Sequence, residues 1–230
     1  MASVSDILVM SGGAPKEAFA VLVPKFERQT GHKVTFEYDV ISALREKIAA
    51  SDKVDVMVLP VPVLDGYVND GKARADARAT FGAVGIQVVV KEGARRPDIS
   101  TKEKFRETML AVRSVVHATP GKTPSGTHMG KVMEQLGIAG EMAGKIVHRP
   151  ALDGGVDLVV NGQADIGIYP ASEVASVKGI AAVGPLPPGI DLTIVYGGAA
   201  VAGTGEGAAA FVNFMAAPEN RAVWQQAGFD

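Results

Sequence analysis

Short apolar runs alternate with amphipathic segments along this chain. The apolar runs at 7–10, 33–38, 54–59, 84–90, 114–118, 146–149, 166–169, 181–184 and 192–201 read as strands. Segments 15–30, 42–51, 61–70, 101–111, 126–136, 154–161, 172–177, 205–216 and 218–226 read as helices. Gly31 and Gly137 supply stops after the first helix and after Leu136. Strands alternating with helices of this length predict an α/β fold with mostly parallel pairing. Two apolar strands, 81–90 and 192–201, read as crossings between two lobes. Lobe I would hold 1–83 and 195–230, lobe II would hold 84–194, and a ligand cleft would lie between them.

Several strand ends open into small polar turns. The first is Ser11-Gly12-Gly13-Ala14-Pro15-Lys16, where glycines expose backbone N–H groups, the helix dipole adds partial positive charge, and Lys16 adds a full one. Glycine also suits such a turn on geometry alone. The second runs from Asp39 to Ser42, with Arg45 in the helix beyond. Ser42 reads as an N-cap, with Glu46 one position late for a capping box.

The third, 118–128, is the richest: Thr123, Ser125 and Thr127 offer hydroxyls, Gly126 permits close approach of a ligand, and Lys122 offers charge. The fourth follows Arg149 and carries Asp153 and Gly154, with Asp153 reading as a cap for the next helix. The fifth contains Tyr169 and Pro170, the tyrosine being either a donor or a core residue.

Composition narrows the chemistry. With 230 residues, 47% hydrophobic, 21% charged and a formal net charge of -2, the chain can bury one large core or two smaller ones. No basic run and only 6% aromatics argue against nucleic acid, and no apolar stretch approaches the ~20 residues of a membrane span. The absence of cysteine excludes disulfides, thiol catalysis and cysteine-bound metals. His32, His117, His128 and His148 lack metal-ligand spacing, Ser125 has no evident triad partners, and neither dinucleotide nor P-loop glycine spacing occurs. No cofactor or metal is expected. The start, MASVSD, does not read as a secretory signal. The expected location is periplasmic if a signal has been removed, and cytoplasmic otherwise.

ILVMSGGAPKEAF (7–19), FERQTGHKVTFEYDVISALREKI (26–48), VDVMVLP (54–60), TPSGTHMGKVMEQLGI (123–138), NGQADIGIYPASEV (161–174) and FVNFMAAPENRAVWQQAGF (211–229) resemble the periplasmic molybdate-binding proteins of ABC transporters. The resemblance spans essentially the whole chain. It implies a type 2 periplasmic-binding-protein fold, an extracellular solute-binding protein closing two lobes on a small anion, a monomer, and an ABC permease as partner.

The family's ligand serine in the first turn falls at Ala14, with Ser11 upstream. A second falls at Ile41, beside Ser42, the ligand tyrosine at Pro170, beside Tyr169, and a backbone donor at Ser125. Lys16, Lys122, Arg45 and Arg149 near these turns point away from molybdate, which the family holds with neutral donors, toward an organic carboxylate. An aconitate isomerase-like enzyme on the same scaffold is the alternative, with Lys16 or His128 as base. A cytoplasmic anion sensor is a third reading.

Overall fold

The computed structural model describes residues 4–149 and 155–230. The chain divides into two compact units: unit 1 comprises Met1–Val84 and Ile194–Asp230, and unit 2 comprises Gly85–Thr193.

Unit 1 opens with β1 (Asp6–Ser11), α1 (Lys16–Thr30), β2 (Lys33–Tyr38), α2 (Ile41–Ala50), β3 (Val56–Pro60) and α3 (Val61–Asn69). The long β4 (Ala73–Lys91) follows and carries the chain into unit 2. Unit 1 is completed by β9 (Thr193–Val201), α9 (Glu206–Met215), a 3-10 turn at Pro218–Asn220 and α10 (Arg221–Gln226). Its strand order is β2-β1-β3-β9-β4; β1 pairs parallel with β2 and β3, and β3 pairs antiparallel with β9. One face packs Met10, Leu44, Ile48, Met57, Leu59 and Leu64 beneath α2 and α3. The other carries an aromatic cluster in which Phe19 packs on Phe36, Phe81, Phe211 and Trp224.

Unit 2 contains the end of β4, α4 (Lys102–Ala111), β5 (Val115–Ala118), α5 (Pro124–Gln135), α6 (Ala139–Met142), β6 (Ile146–Arg149), α7 (Val156–Val160), β7 (Ile166–Pro170), α8 (Ala171–Val174) and β8 (Ile180–Pro185). Parallel β5–β6 and β5–β7 pairs join antiparallel β4–β7 and β4–β8 pairs. The larger core, around Phe105, Met109, Val115, Met133 and Ile168, lies under α4, α5 and α6. The whole is a mixed α/β protein with open, mostly parallel sheets flanked by helices.

An aspartate just before a central strand serves each unit in the same way. Asp55 Oδ2 accepts from Leu8 N–H at 2.8 Å. Asp165 accepts Arg113 N–H at 2.8 Å and its guanidinium at 2.6 Å, while its own N–H donates to Ser114 Oγ at 3.2 Å. Both aspartates fix the entry of their strand, and hence where its far end delivers the next turn.

The structure moves several expected boundaries. β4 begins at Ala73, because ARADARAT (73–80) alternates with period two and buries only the small Ala73 and Ala77, which left no apolar run to read. α5 begins at Pro124, two residues before the expected 126, because Thr123 is extended and Pro124 supplies a helix-ready φ. α2 begins at Ile41 with Val40 as N-cap, so Ser42 lies within the first turn and is not the cap. Asp39 Oδ1 accepts the Val40 N–H at 2.7 Å, turning the chain before Ser42 is reached. Helix α6 has no counterpart among the expected elements; a single turn of AGEM offers too little periodicity.

Candidate anion-binding turns

In unit 1, the turn after β1 is built for backbone donation. Ser11 is buried, and its hydroxyl donates to the Gly12 carbonyl at 2.8 Å. Gly12 N–H donates to the Val58 carbonyl at 3.2 Å, and Lys16 N–H returns to the Gly13 carbonyl at 3.1 Å. The Gly13 and Ala14 N–H groups have no hydrogen-bond partner among the described residues. Pro15 gives α1 no side-chain cap, and Val40 gives α2 none. Two helix starts with open N–H groups thus follow adjacent strands.

A Cβ at Gly12 would stand 3.2 Å from Ile41 Cδ1 and 3.4 Å from Tyr196 Cε1. The β1–α1 turn, the start of α2 and strand β9 therefore converge. Tyr196 escaped the sequence reading; its only signal is a tyrosine ahead of Gly197-Gly198 in an otherwise apolar strand. Lys16 lies in the first turn of α1, its Nζ 5.7 Å from the Tyr38 ring centroid, a cation–π position that holds the charge near the turn. Burial pushes the Tyr38 hydroxyl well above its ordinary pKa. Ser42 is exposed. Arg45 instead lines a groove of about 580 Å³ between α2 and α3 with Glu46, Tyr67, Asp70 and Lys72.

In unit 2, the residues expected in a long loop form the first turn of α5. Thr123 Oγ1 accepts from Gly126 N–H at 3.1 Å and lies 3.2 Å from Ser125 Oγ. Thr127 Oγ1 accepts from Gly121 N–H at 3.0 Å, pinning the turn before it. Gly126 is required by the protein itself, since a Cβ there would meet the Thr119 and Ala118 carbonyl oxygens at 2.5 and 2.6 Å. These hydroxyls spend themselves on local order; Ser125 N–H has no partner among the described residues. Lys122 is exposed. His128 Nε2 donates to the Ile190 carbonyl at 2.8 Å, which accounts for one of its nitrogens structurally.

Tyr169 is buried at the end of β7, and its hydroxyl has no partner among the described residues. Pro170 ends the strand and precedes α8, whose Ser172 Oγ is buried and equally unpartnered. Burial raises the Tyr169 pKa well above the usual tyrosine value, nearby Glu173 and Asp157 add to this, and Arg149 opposes it. Burial pushes the Glu173 carboxyl up to about 8. Asp153 and Gly154 lie outside the described residues. Gly155 is the N-cap of α7, and its N–H donates to Asp157 Oδ1 at 2.9 Å. Buried His117 donates from Nδ1 to the Ala118 carbonyl at 2.8 Å, and burial holds its pKa below the usual value. Among the described residues no three His, Asp or Glu side chains are grouped to hold a metal ion, and no helix is long and apolar enough to cross a membrane.

Open α/β sheets whose strands run through short turns into helices are the architecture of type 2 periplasmic binding proteins. The chain belongs to the family of bacterial extracellular solute-binding proteins, whose model matches residues 7–230. It is similar to an aconitate isomerase from a Pseudomonas species, at 26% identity over 98% of this chain and 87% of that protein. Its fold is similar to that of the periplasmic molybdate-binding protein of Azotobacter vinelandii, with TM-score 0.77, 20% identity, and coverage of 97% of this chain and 98% of that one. It is also similar in fold to Peb3 of Campylobacter jejuni with L-phospholactate bound, with TM-score 0.73, 15% identity, and coverage of 97% and 99%.

Proposed function

We propose that this protein captures a small organic carboxylate for uptake by an ABC permease in the periplasm. The observation that carries the reading is the β1–α1 turn: open Gly13 and Ala14 N–H groups beside Lys16, with the uncapped start of α2 packed on Gly12. Backbone donors at a helix N-terminus take an oxygen anion, and the added ammonium suits an anion bearing carboxylates. The reading predicts that Lys16→Ala weakens binding of that ligand. The phospholactate bound by the similar Peb3 fold supports an organic anion; the molybdate-binding relative supports an inorganic one.

A thermal-shift panel of molybdate, tungstate, sulfate, phosphate, citrate and the aconitate isomers separates them, because a ligand raises apparent stability by mass action. Stabilisation by a carboxylate is the expected result. Stabilisation by tetrahedral oxyanions alone would remove the organic-acid reading.

The similarity to an aconitate isomerase over nearly the whole chain favours one second reading, turnover of the bound acid. It requires a base, and Lys16 is better placed than His128, whose Nε2 is already committed to Ile190. NMR of cis- or trans-aconitate incubated with the protein reports conversion directly.

A further inference from the structure

Strand β6 ends at Arg149, one of the cations that the sequence sets near the candidate turns. Gly155 sits against it. At φ +93, a Cβ on Gly155 would meet Arg149 Cγ at 2.9 Å, Arg149 Cβ at 3.0 Å and the Tyr169 hydroxyl oxygen at 3.1 Å. The stem of Arg149 and the Tyr169 hydroxyl thus press on the same α-carbon, from β6 and from the end of β7. Among the described residues, exposed Arg149 has no ion pair, and Tyr169, 4% exposed, has no partner for its hydroxyl. A buried hydroxyl with no partner is costly unless something fills its place.

We infer that Arg149 and Tyr169 together form a carboxylate-recognition pair in unit 2, held in register by Gly155, so that binding of an organic acid depends on both side chains. The inference deepens the proposed function and rests on it. Two arguments carry it. A guanidinium takes a carboxylate through two parallel N–H donations, and anchoring its stem lowers the freedom lost on binding. The buried Tyr169 hydroxyl beside that stem, without a partner among the described residues, offers the same acid a further donor.

Two acidic groups face Tyr169: burial raises the Glu173 carboxyl to about 8, while Asp157, which accepts the Gly155 N–H, opposes an incoming anion and Arg149 offsets it.

The test is isothermal titration of the full chain and of Arg149→Gln, Arg149→Lys and Tyr169→Phe with citrate, cis-aconitate, trans-aconitate and molybdate at pH 7. Circular dichroism melts establish that each variant is folded. Arg149→Gln is expected to weaken the carboxylates that bind by about 30-fold, with partial recovery in Arg149→Lys. Tyr169→Phe is expected to weaken them by about 10-fold. Carboxylate affinities that stay within about 3-fold in Arg149→Gln would overturn the inference and leave the solute-binding reading standing. So would a wild-type protein that binds molybdate alone. If no anion in the panel binds the wild type, both fall.

Discussion

Glu173 has no ion pair and no hydrogen-bond partner among the described residues, and burial moves its carboxyl from the ordinary 4.5 to about 8. Between those values the native state holds a proton that the unfolded chain has released. The stability this group contributes is whole below about pH 4.5 and is lost as pH rises through about 8. Urea unfolding followed from about pH 5 to about pH 9 should show this decline, and Glu173→Gln should flatten it. A Glu173→Gln profile as steep as the wild type would place the titration elsewhere. Nothing in the string YPASEV announces such a carboxyl; its burial depends on what β7 and α8 pack against. The same is true of Tyr169, legible as a tyrosine at a strand end and not as a hydroxyl without a partner. Tyr196 and its contact with Gly12 joined strands far apart in sequence, beyond the reach of any local pattern.

At the scale of elements, legibility followed the size of the buried side chains. The expected 33–38 and 146–149 coincide with β2 and β6, where large and small residues alternate or cluster clearly. The first half of β4 did not declare itself, because alanines cover its inner face. The start of α5 was concealed by its own polarity: TPSGTH reads as a loop until Thr123 is recognised as a cap with proline behind it. Two substitutions separate capping from packing there. Thr123→Ala removes the acceptor for Gly126 N–H and should cost about 1 kcal/mol. Gly126→Ala forces a methyl to within 2.5 Å of a backbone carbonyl oxygen, which cannot swing aside, and should cost clearly more, about 2–3 kcal/mol. Chemical denaturation of the two variants checks the order; equal losses would mean that α5 re-seats freely at its first turn.

At the scale of the molecule, unit 1 is assembled from two distant stretches of chain, and its last residues close it. Asp230 N–H donates to the Ala83 carbonyl at 2.8 Å, and Ala83 N–H returns to Asp230 at 3.3 Å. Phe229 is buried, edge-on to Trp224 at 5.1 Å and to Tyr196 at 6.1 Å. Phe229→Ala should therefore cost about 3–5 kcal/mol. It should also loosen Tyr196 and with it the turn at Gly12. Hydrogen exchange should show the loss in β1, β3 and β9 while β5, β6 and β7 keep their protection. Uniform loss across both units would show that they unfold as one.

The place of β9 beside β3 bears on how the chain is made. Every residue of β3 is buried in the finished protein, and its partner strand is encoded after all of unit 2. On a ribosome adding about 5–20 residues per second, the roughly 130 residues between β3 and β9 leave β3 waiting about 7–27 seconds with one hydrophobic edge bare. An unpaired edge of that kind invites pairing with a neighbouring chain. Unit 1 therefore stays open to misassembly until the chain beyond unit 2 has been made.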